Sequence, residues 1–355
     1  MKILSLFDGI SCGRVALERA SIPIEKYYAS EIDKYAISVA QKNYPNTIQV
    51  GSVIDLKGED FKDIDLIMGG FPCQDLSIAK KDRKGLAGKR SGLFYEMIRI
   101  HKEVKPKWFI YENVASMSKE NKEIITDTLK EIDPNTYCIM INGALVSAQN
   151  RKRLFWTNIP NVEQPEDKGI LLKDILEDEV DEKYYVKDYK TNWNSDKPIE
   201  IKKEKYKVLR TGGDNPTIRV GSLNQGGQGD RIYSPNGKSS SLSANGGGRG
   251  AKTGLYAVKS NYNKTLNYDK TNTLGSNSQC QTAKTGQGLV DFEKQQIRKL
   301  TPIECERLTT LPDNYTAYGT DGEKTFDISN TQRYKMCGNA FIPDVVAHIL
   351  NKLNK

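Results

Sequence analysis

Histidine is almost missing: His101 and His348 are the only two in 355 residues. That scarcity excludes most histidine-based metal sites and disfavours a Ser/His/Asp triad. Six cysteines stand at 12, 73, 138, 280, 305 and 337, no two closer than 25 residues. A CxxC zinc site is therefore excluded, and the spacing does not suggest the disulfide framework of a small secreted domain. No apolar run nears the ~18 residues of a membrane span, and the mean hydropathy is -0.61. The opening MKILSLFDGI lacks the basic stretch and long apolar stretch of a signal peptide, so a cytoplasmic protein is expected.

Positive charge is in excess, 53 Lys+Arg against 45 Asp+Glu, but it is unevenly placed. Residues 161–200 hold 6 basic against 12 acidic residues, residues 201–300 hold 17 against 6, and residues 80–90 alone hold 6 against 1. The total permits a nucleic-acid partner, and the distribution says where it would lie.

Residues 1–160 alternate apolar strands with helical patterns. Lys2–Phe7, Tyr27–Ile32, Asp65–Gly69, Lys107–Tyr111, Tyr137–Ile141 and Arg153–Ile159 read as strands. Gly13–Ala20, Lys34–Asn43, Leu93–Val104 and Lys119–Ile132 read as helices between them. Repeated β-α units on this spacing predict an α/β fold with a doubly wound, mainly parallel sheet. After an acidic connector with a short helix at Leu171–Glu177, residues 211–290 hold 15 of the 29 glycines. Short strands there, such as Tyr206–Arg210 just before it and Leu255–Lys259, predict a smaller hairpin-rich β domain. The segment also repeats at an offset of 32: Lys238, Leu242, Asn245 and residues 251–254 recur as Lys270, Leu274, Asn277 and residues 283–286. The copies are either a duplicated hairpin or a pair of loops facing one ligand. Helices are expected at Pro302–Leu308 and at Val345–Leu353, the latter returning to the first domain.

Strand ends carry the chemistry. The first ends in Phe7-Asp8-Gly9-Ile10-Ser11-Cys12-Gly13, a glycine turn that is not GxGxxG and so disfavours a dinucleotide oxidoreductase. The second ends at Glu31, where an acid can accept ribose hydroxyls. Cys73 sits in Gly69-Gly70-Phe71-Pro72-Cys73-Gln74, followed by a basic stretch that favours thiolate. A lone cysteine is otherwise more often a buried core residue. Glu112-Asn113-Val114 ends a further strand, its carboxyl being either held protonated by desolvation or ion-paired. Arg151 and Arg153, two apart in an extended run, point to one face, either into one cleft or as an ordinary basic strand edge.

In this order the motifs resemble the DNA cytosine-5 methyltransferases. The similarity runs through FDGIxxG at 7–13, Glu31, GFPCQ at 70–74, SGLFYE at 91–96, ENV at 112–114, QxRxR at 149–153, RKLTPxEC at 298–305 and GNAF at 338–341. It implies a class I, Rossmann-like fold that uses S-adenosyl-L-methionine, with a catalytic domain at 1–165, a target-recognition domain at 166–328 and a returning segment at 329–355. It implies Cys73 as the nucleophile towards carbon 6 of a flipped-out cytosine, Glu112 at ring nitrogen 3, and Arg153 with Arg151 on the O2 side. The cofactor is expected against Phe7, Asp8, Gly9, Ile10, Gly13, Glu31, Ile32, Val53, Pro72, Leu93, Asn339 and Ala340. Where the family carries Asp after a glycine this chain has Ser52 after Gly51, so either Ser52 or Asp55 meets the adenine.

Double-stranded DNA is the implied partner, met by Ser77, Lys80, Lys81, Arg83, Lys84, Lys89 and Arg90 of a closing loop and by Arg219, Arg231 and Arg249 of the recognition domain. The resemblance further implies a monomer without a metal, in a bacterial or phage-infected cell, with a companion restriction endonuclease for the same site. An RNA methyltransferase of the same fold is disfavoured by the long Gly-rich segment. A silent DNA-binding relative is disfavoured by intact Cys73, Glu112 and Arg153.

Overall fold

The computed structural model describes residues 1–72, 92–186, 191–193, 199–200, 217–223, 230–242, 255–259, 289–290 and 295–354. The strand expected at Tyr206–Arg210 lies outside them. The chain alternates through β1 (Lys2–Leu6), α1 (Cys12–Arg19), β2 (Lys26–Ser30), α2 (Lys34–Asn43), β3 (Ile48–Gln49), β4 (Leu66–Gly70), α3 (Leu93–Val104), β5 (Trp108–Val114), α4 (Lys119–Ile132), β6 (Tyr137–Asn142) and β7 (Lys152–Thr157). These seven strands make one sheet in the order β3-β2-β1-β4-β5-β7-β6. All neighbours pair parallel except β7, which runs antiparallel to β5 and β6.

A parallel sheet is covered on both faces, so its strands are apolar on both. Side chains alternate between the faces, and β1 sends Ile3 to one core and Leu4 to the other. Likewise β7 sends Phe155 to the first core and Trp156 to the second. The second core lies under α3 and α4, through Phe94, Met97, Ile125 and Leu129. The first is closed by α1 and by a helix from the far end of the chain, through Leu17, Val346 and Ile349.

Several elements differ from expectation. β3 is only two residues long with Ile48 exposed, too short to show a period. β5 continues past Tyr111 because Glu112, Asn113 and Val114 pair with Phe155, Leu154 and Arg153 of β7. Pairing across the sheet thus holds polar residues in a strand that their own propensity would end. The expected helix at Leu171–Glu177 is reduced to a 3-10 turn at Leu172–Ile175.

Beyond it lie β8 (Thr191–Trp193), β9 (Ile199–Glu200), β10 (Arg219–Leu223), β11 (Arg231–Tyr233), β12 (Leu255–Lys259), β13 (Leu289–Val290) and β14 (Gln295–Arg298). Five of these form a second sheet, β14-β12-β11-β10-β8, and β9 pairs with β13. Its neighbours are antiparallel except β11 with β12. A small core of Val220, Ile232, Leu255 and Ile297 supports it.

The chain returns through α5 (Pro302–Leu308), β15 (Tyr318–Thr320), β16 (Thr325–Asp327), α6 (Asn330–Asn339) and α7 (Pro343–Leu350). α5 begins with a reciprocal cap between Thr301 and Glu304, and Pro302 stands where the missing N–H costs nothing. Leu311, Tyr315 and Ile328 pack with Ile10, Val15 and Val39 of the first layer. Among the described residues no helix is long and apolar enough to cross a membrane.

Because α7 completes the first core, Ile349→Ala, at a fully buried position, should lower unfolding free energy by about 2–5 kcal/mol. Denaturant titration followed by tryptophan fluorescence measures it; a change below about 1 kcal/mol would contradict this packing.

Candidate active site

Strand order reverses between β1 and β4, and a crevice outside the carboxyl ends of strands is where such sheets bind ligands. The loop after β1 is wound tightly there. Phe7, Gly9 and Ser11 have φ of 56, 62 and 58°, a left-handed conformation that only glycine adopts without steric cost. Two groups hold it. Asp8 is buried and accepts from Ser11 Oγ at 2.5 Å and Tyr27 Oη at 2.7 Å. Glu31 accepts from the backbone N–H groups of Gly9, Ile32 and Asp33 at 2.8, 2.8 and 2.9 Å.

Several positions expected against the cofactor have buried side chains or closely packed backbone. Asp8 points inward, Ile10 is 2% exposed, and Gly13 lets α1 approach β4, since a Cβ there would overlap the Met68 sulfur. Val53 is buried in the second core, while its neighbour Ile54 is 58% exposed. Both lie in the turn after β3, which buries one of the two adjacent apolar residues and exposes the other. Ile32, at 76%, is also exposed beside Glu31. Ser52 Oγ is taken up by the Ile54 N–H at 3.3 Å, and Asp55 is exposed. Two exposed isoleucines after β2 and β3, with a fixed carboxylate beside one of them, suit a flat base and a ribose diol.

On the other side of the switch point the register is equally telling. Gly70 of β4 pairs with Glu112 of β5, and Val114 pairs with Arg153 of β7. Arg153 Nε lies 2.6 Å from Glu112 Oε1, a close ion pair without the alignment of a hydrogen bond, with side-chain exposures of 17% and 13%. Gly70 leaves room for the carboxylate, because a Cβ there would stand 3.0 Å from Glu112 Oε2. Asn113, buried, donates from Nδ2 to the Phe71 carbonyl at 3.1 Å. It thereby fixes Phe71-Pro72, the approach to Cys73. Phe71 also packs on Phe94, one residue after the half-buried Leu93 at the start of α3.

Arg151 does not join Arg153 on the ion pair. It is 4% exposed, and its guanidinium donates to the carbonyls of Gly338, Ala340 and Leu242 at 3.1, 2.8 and 3.3 Å, with Ser241 Oγ at 3.4 Å. Gln149, fully buried, links Leu242 N–H at 3.4 Å to the Leu308 carbonyl at 3.4 Å. Neither role is visible in QxRxR, since the partners lie about 90 to 190 residues away in sequence. RKLTPxEC proves architectural too: Arg298 forks onto Glu304, which caps α5.

Asn339 is exposed at the end of α6, and Ala340 is nearly buried. Arg219 and Arg231 are half-buried on adjacent strands of the second sheet, and Arg219 Nε donates to the Gly221 carbonyl. Cys73, Ser77, Lys80, Lys81, Arg83, Lys84, Lys89, Arg90 and Arg249 lie outside the described residues, as does the loop expected to close over the substrate. Among the described residues no group of three His, Cys, Asp or Glu could hold a metal ion.

Burial pushes the Asp8 carboxyl up to about 6, against hydrogen bonds from Ser11, Ser5 and Tyr27 that favour the carboxylate. With the folded value above the unfolded one, its contribution is full below about pH 4 and is lost as pH rises through about 6. Subtracting the Asp8→Asn stability curve from that of the natural chain should give a difference falling between pH 4 and 6.5. A flat or rising difference in urea titrations would refute it.

Comparison with known proteins agrees with this geometry. A family model for C-5 cytosine-specific DNA methylase matches residues 1–355. The type II methyltransferase M.HhaI of Haemophilus parahaemolyticus is 29% identical over 98% of this chain and 93% of its own. The orphan methyltransferase M.Rho11sI of Bacillus phage rho11s is 31% identical over 73% of this chain and 61% of its own. Among solved structures, the Entamoeba histolytica methyltransferase EhMeth has a TM-score of 0.63 at 15% identity, covering 99% of this chain and 97% of that one. The chain belongs to the C-5 cytosine-specific DNA methylases and is an S-adenosyl-L-methionine-dependent DNA (cytosine-5-)-methyltransferase.

Proposed function

We propose that the enzyme extrudes one cytosine from a specific duplex sequence and methylates it through a covalent bond between Cys73 and carbon 6. The observation that carries this reading is the sheltered Glu112–Arg153 pair, one strand from the Gly70-Phe71-Pro72 approach to Cys73. Carbon 5 of cytosine is a weak nucleophile, and addition of a thiolate at carbon 6 makes it an enamine carbon. Glu112 hydrogen-bonds ring nitrogen 3 and the exocyclic amine, and Arg153 neutralises charge growing on the O2 side. Loss of the carbon 5 proton then lets the thiolate leave. Extrusion costs a few kcal/mol and exposes an atom that the duplex hides.

When bound, the sulfonium cofactor supplies an electrophilic methyl group. Glu31 is proposed to take its ribose, with Ile32 and Ile54 against the adenine and Phe7, Pro72, Leu93 and Asn339 around the remainder. The catalytic layer is proposed to span 1–165 and recognition to fall within 166–328. Leu311, Tyr315 and Ile328 already pack on the catalytic layer, so the returning segment is proposed to begin near 311 rather than 329. Basic residues of 80–90 and of the second sheet, Arg219 and Arg231 among them, are proposed to track the DNA backbone, the enzyme acting as a monomer. Relatives include both a type II and orphan enzymes, and a companion endonuclease reading the same site is the proposal for a type II role.

Duplex DNA amplified with 5-fluorocytosine blocks proton loss at carbon 5 and should trap a denaturant-stable adduct in the presence of cofactor. Cys73→Ala should abolish the adduct, and Glu112→Gln should slow it by about a hundredfold or more. An adduct of equal yield from Cys73→Ala would sink the covalent reading.

A further inference from the structure

Lys238 opens the first copy of the internal repeat, in a segment whose excess charge suggests contact with phosphate. Its side chain does something else. It is 1% exposed, and its ammonium donates to the carbonyls of Ala144, Ser147 and Ile170 at 2.7, 3.1 and 2.5 Å. Asp167 stands further off, at 3.9 Å. An ammonium has three donors and no acceptor, so three carbonyls exhaust it. Burial without them would be costly.

The loop that supplies two of these carbonyls is the connection from β6 to β7, residues 143–151. It closes on itself through Gly143 N–H to the Arg151 carbonyl at 3.0 Å, and Arg151 N–H is held by Asn142 Oδ1 at 3.0 Å. The next residues are Lys152 and Arg153, the first rungs of β7. The recognition segment also adds backbone rungs at the same place, Asn150 N–H to Ser239 O at 2.9 Å and Ser239 N–H to Ala148 O at 2.7 Å. The loop is folded around an ammonium that belongs to another part of the chain.

We propose that Lys238 is a positioning residue for methyl transfer: by filling the β6–β7 loop it fixes where β7 begins, and hence the Arg153–Glu112 pair. Docking of the recognition segment and alignment of the catalytic pair are then one event. This inference rests on the reading of Glu112 and Arg153 as the groups that polarise the base.

The full-length chain and its Lys238→Met and Lys238→Gln variants test it, each below its own unfolding midpoint. The readouts are cofactor affinity, the salt dependence of DNA binding, the single-turnover methylation rate of unmethylated plasmid DNA, and adduct formation on DNA made with 5-fluorocytosine. Lys238→Met should lose about a hundredfold in both rates, as misplacement by an ångström costs elsewhere. Lys238→Gln, which keeps N–H donors, should lose less and serves if the Met variant fails to fold. Cofactor affinity and the salt slope should not change.

A lower melting temperature with unchanged rates per folded site would overturn the proposal by making Lys238 merely structural. A salt slope reduced by about 1 would overturn it by making Lys238 a phosphate contact. If the natural chain methylates DNA but forms no adduct, the covalent reading falls, while the methylation rates still decide the role of Lys238.

Discussion

The guanidinium of Arg151 holds three distant pieces of chain at one point. Its bonds to Gly338 and Ala340 fix the returning segment, those to Ser241 and Leu242 fix the recognition segment, and its own backbone leads into β7. Burying a permanent charge is tolerable only where oxygens replace its water, and here they are carbonyls and a hydroxyl from different segments. The clamp can therefore form only when those segments have arrived. The positions of Arg153 two residues on, and of Ala340 at the rim of the crevice, both depend on it.

The ion pair that follows is a different kind of contact. Glu112 and Arg153 are sheltered but not sealed, so their charges are partly desolvated while a substrate can still reach them. Such a pair adds little to stability and is easily made costly by losing one partner. Its value is geometric. Gly70 gives the carboxylate space, Asn113 ties the neighbouring strand end to it, and β-sheet register sets the spacing. Nothing in this group is adjustable without moving a strand.

Much of this was legible in sequence, and the boundary of legibility is physical. Helices at Lys34–Asn43, Leu93–Val104 and Lys119–Ile132 have the expected ends because the apolar period is local, and Asp33 and Ser118 cap the first and third. The motif order carried the family, and Glu112 and Arg153 do meet. What the sequence does not record is which way a side chain turns. Arg151 and Arg153 share an extended run, yet one is consumed by carbonyls near residues 242 and 340. Asp8 sits in a ligand loop but braces it from within through Ser11 and Tyr27. Val53, expected against the cofactor, is buried, while Ile54 beside it is exposed. Lys238, read in sequence only as part of the repeat, is among the most buried of the described residues. The roles of Arg151 and Lys238 rest on contacts made far across the sequence, which no local pattern records.

The two ends of the crevice are consequently built in different ways. The end proposed for the nucleoside is assembled within the first 55 residues: Glu31 is held by backbone N–H groups of Gly9, Ile32 and Asp33, and Ile54 follows the adjacent strand. Its frame is β1, β2, β3 and their turns, braced from outside by Arg99 of α3, which donates to the Val53 and Ile54 carbonyls at 3.2 and 3.3 Å, and by Tyr315, which donates to the Ile10 carbonyl at 2.7 Å. The end that holds Glu112 and Arg153 needs β7, whose start is fixed by Arg151, Gln149 and Lys238 through partners far along the chain. Contacts of long sequence separation are the ones a change in the recognition segment can loosen, whereas local turns are indifferent to it. The alignment of the pair proposed to polarise the base thereby answers to the segment proposed to read the DNA.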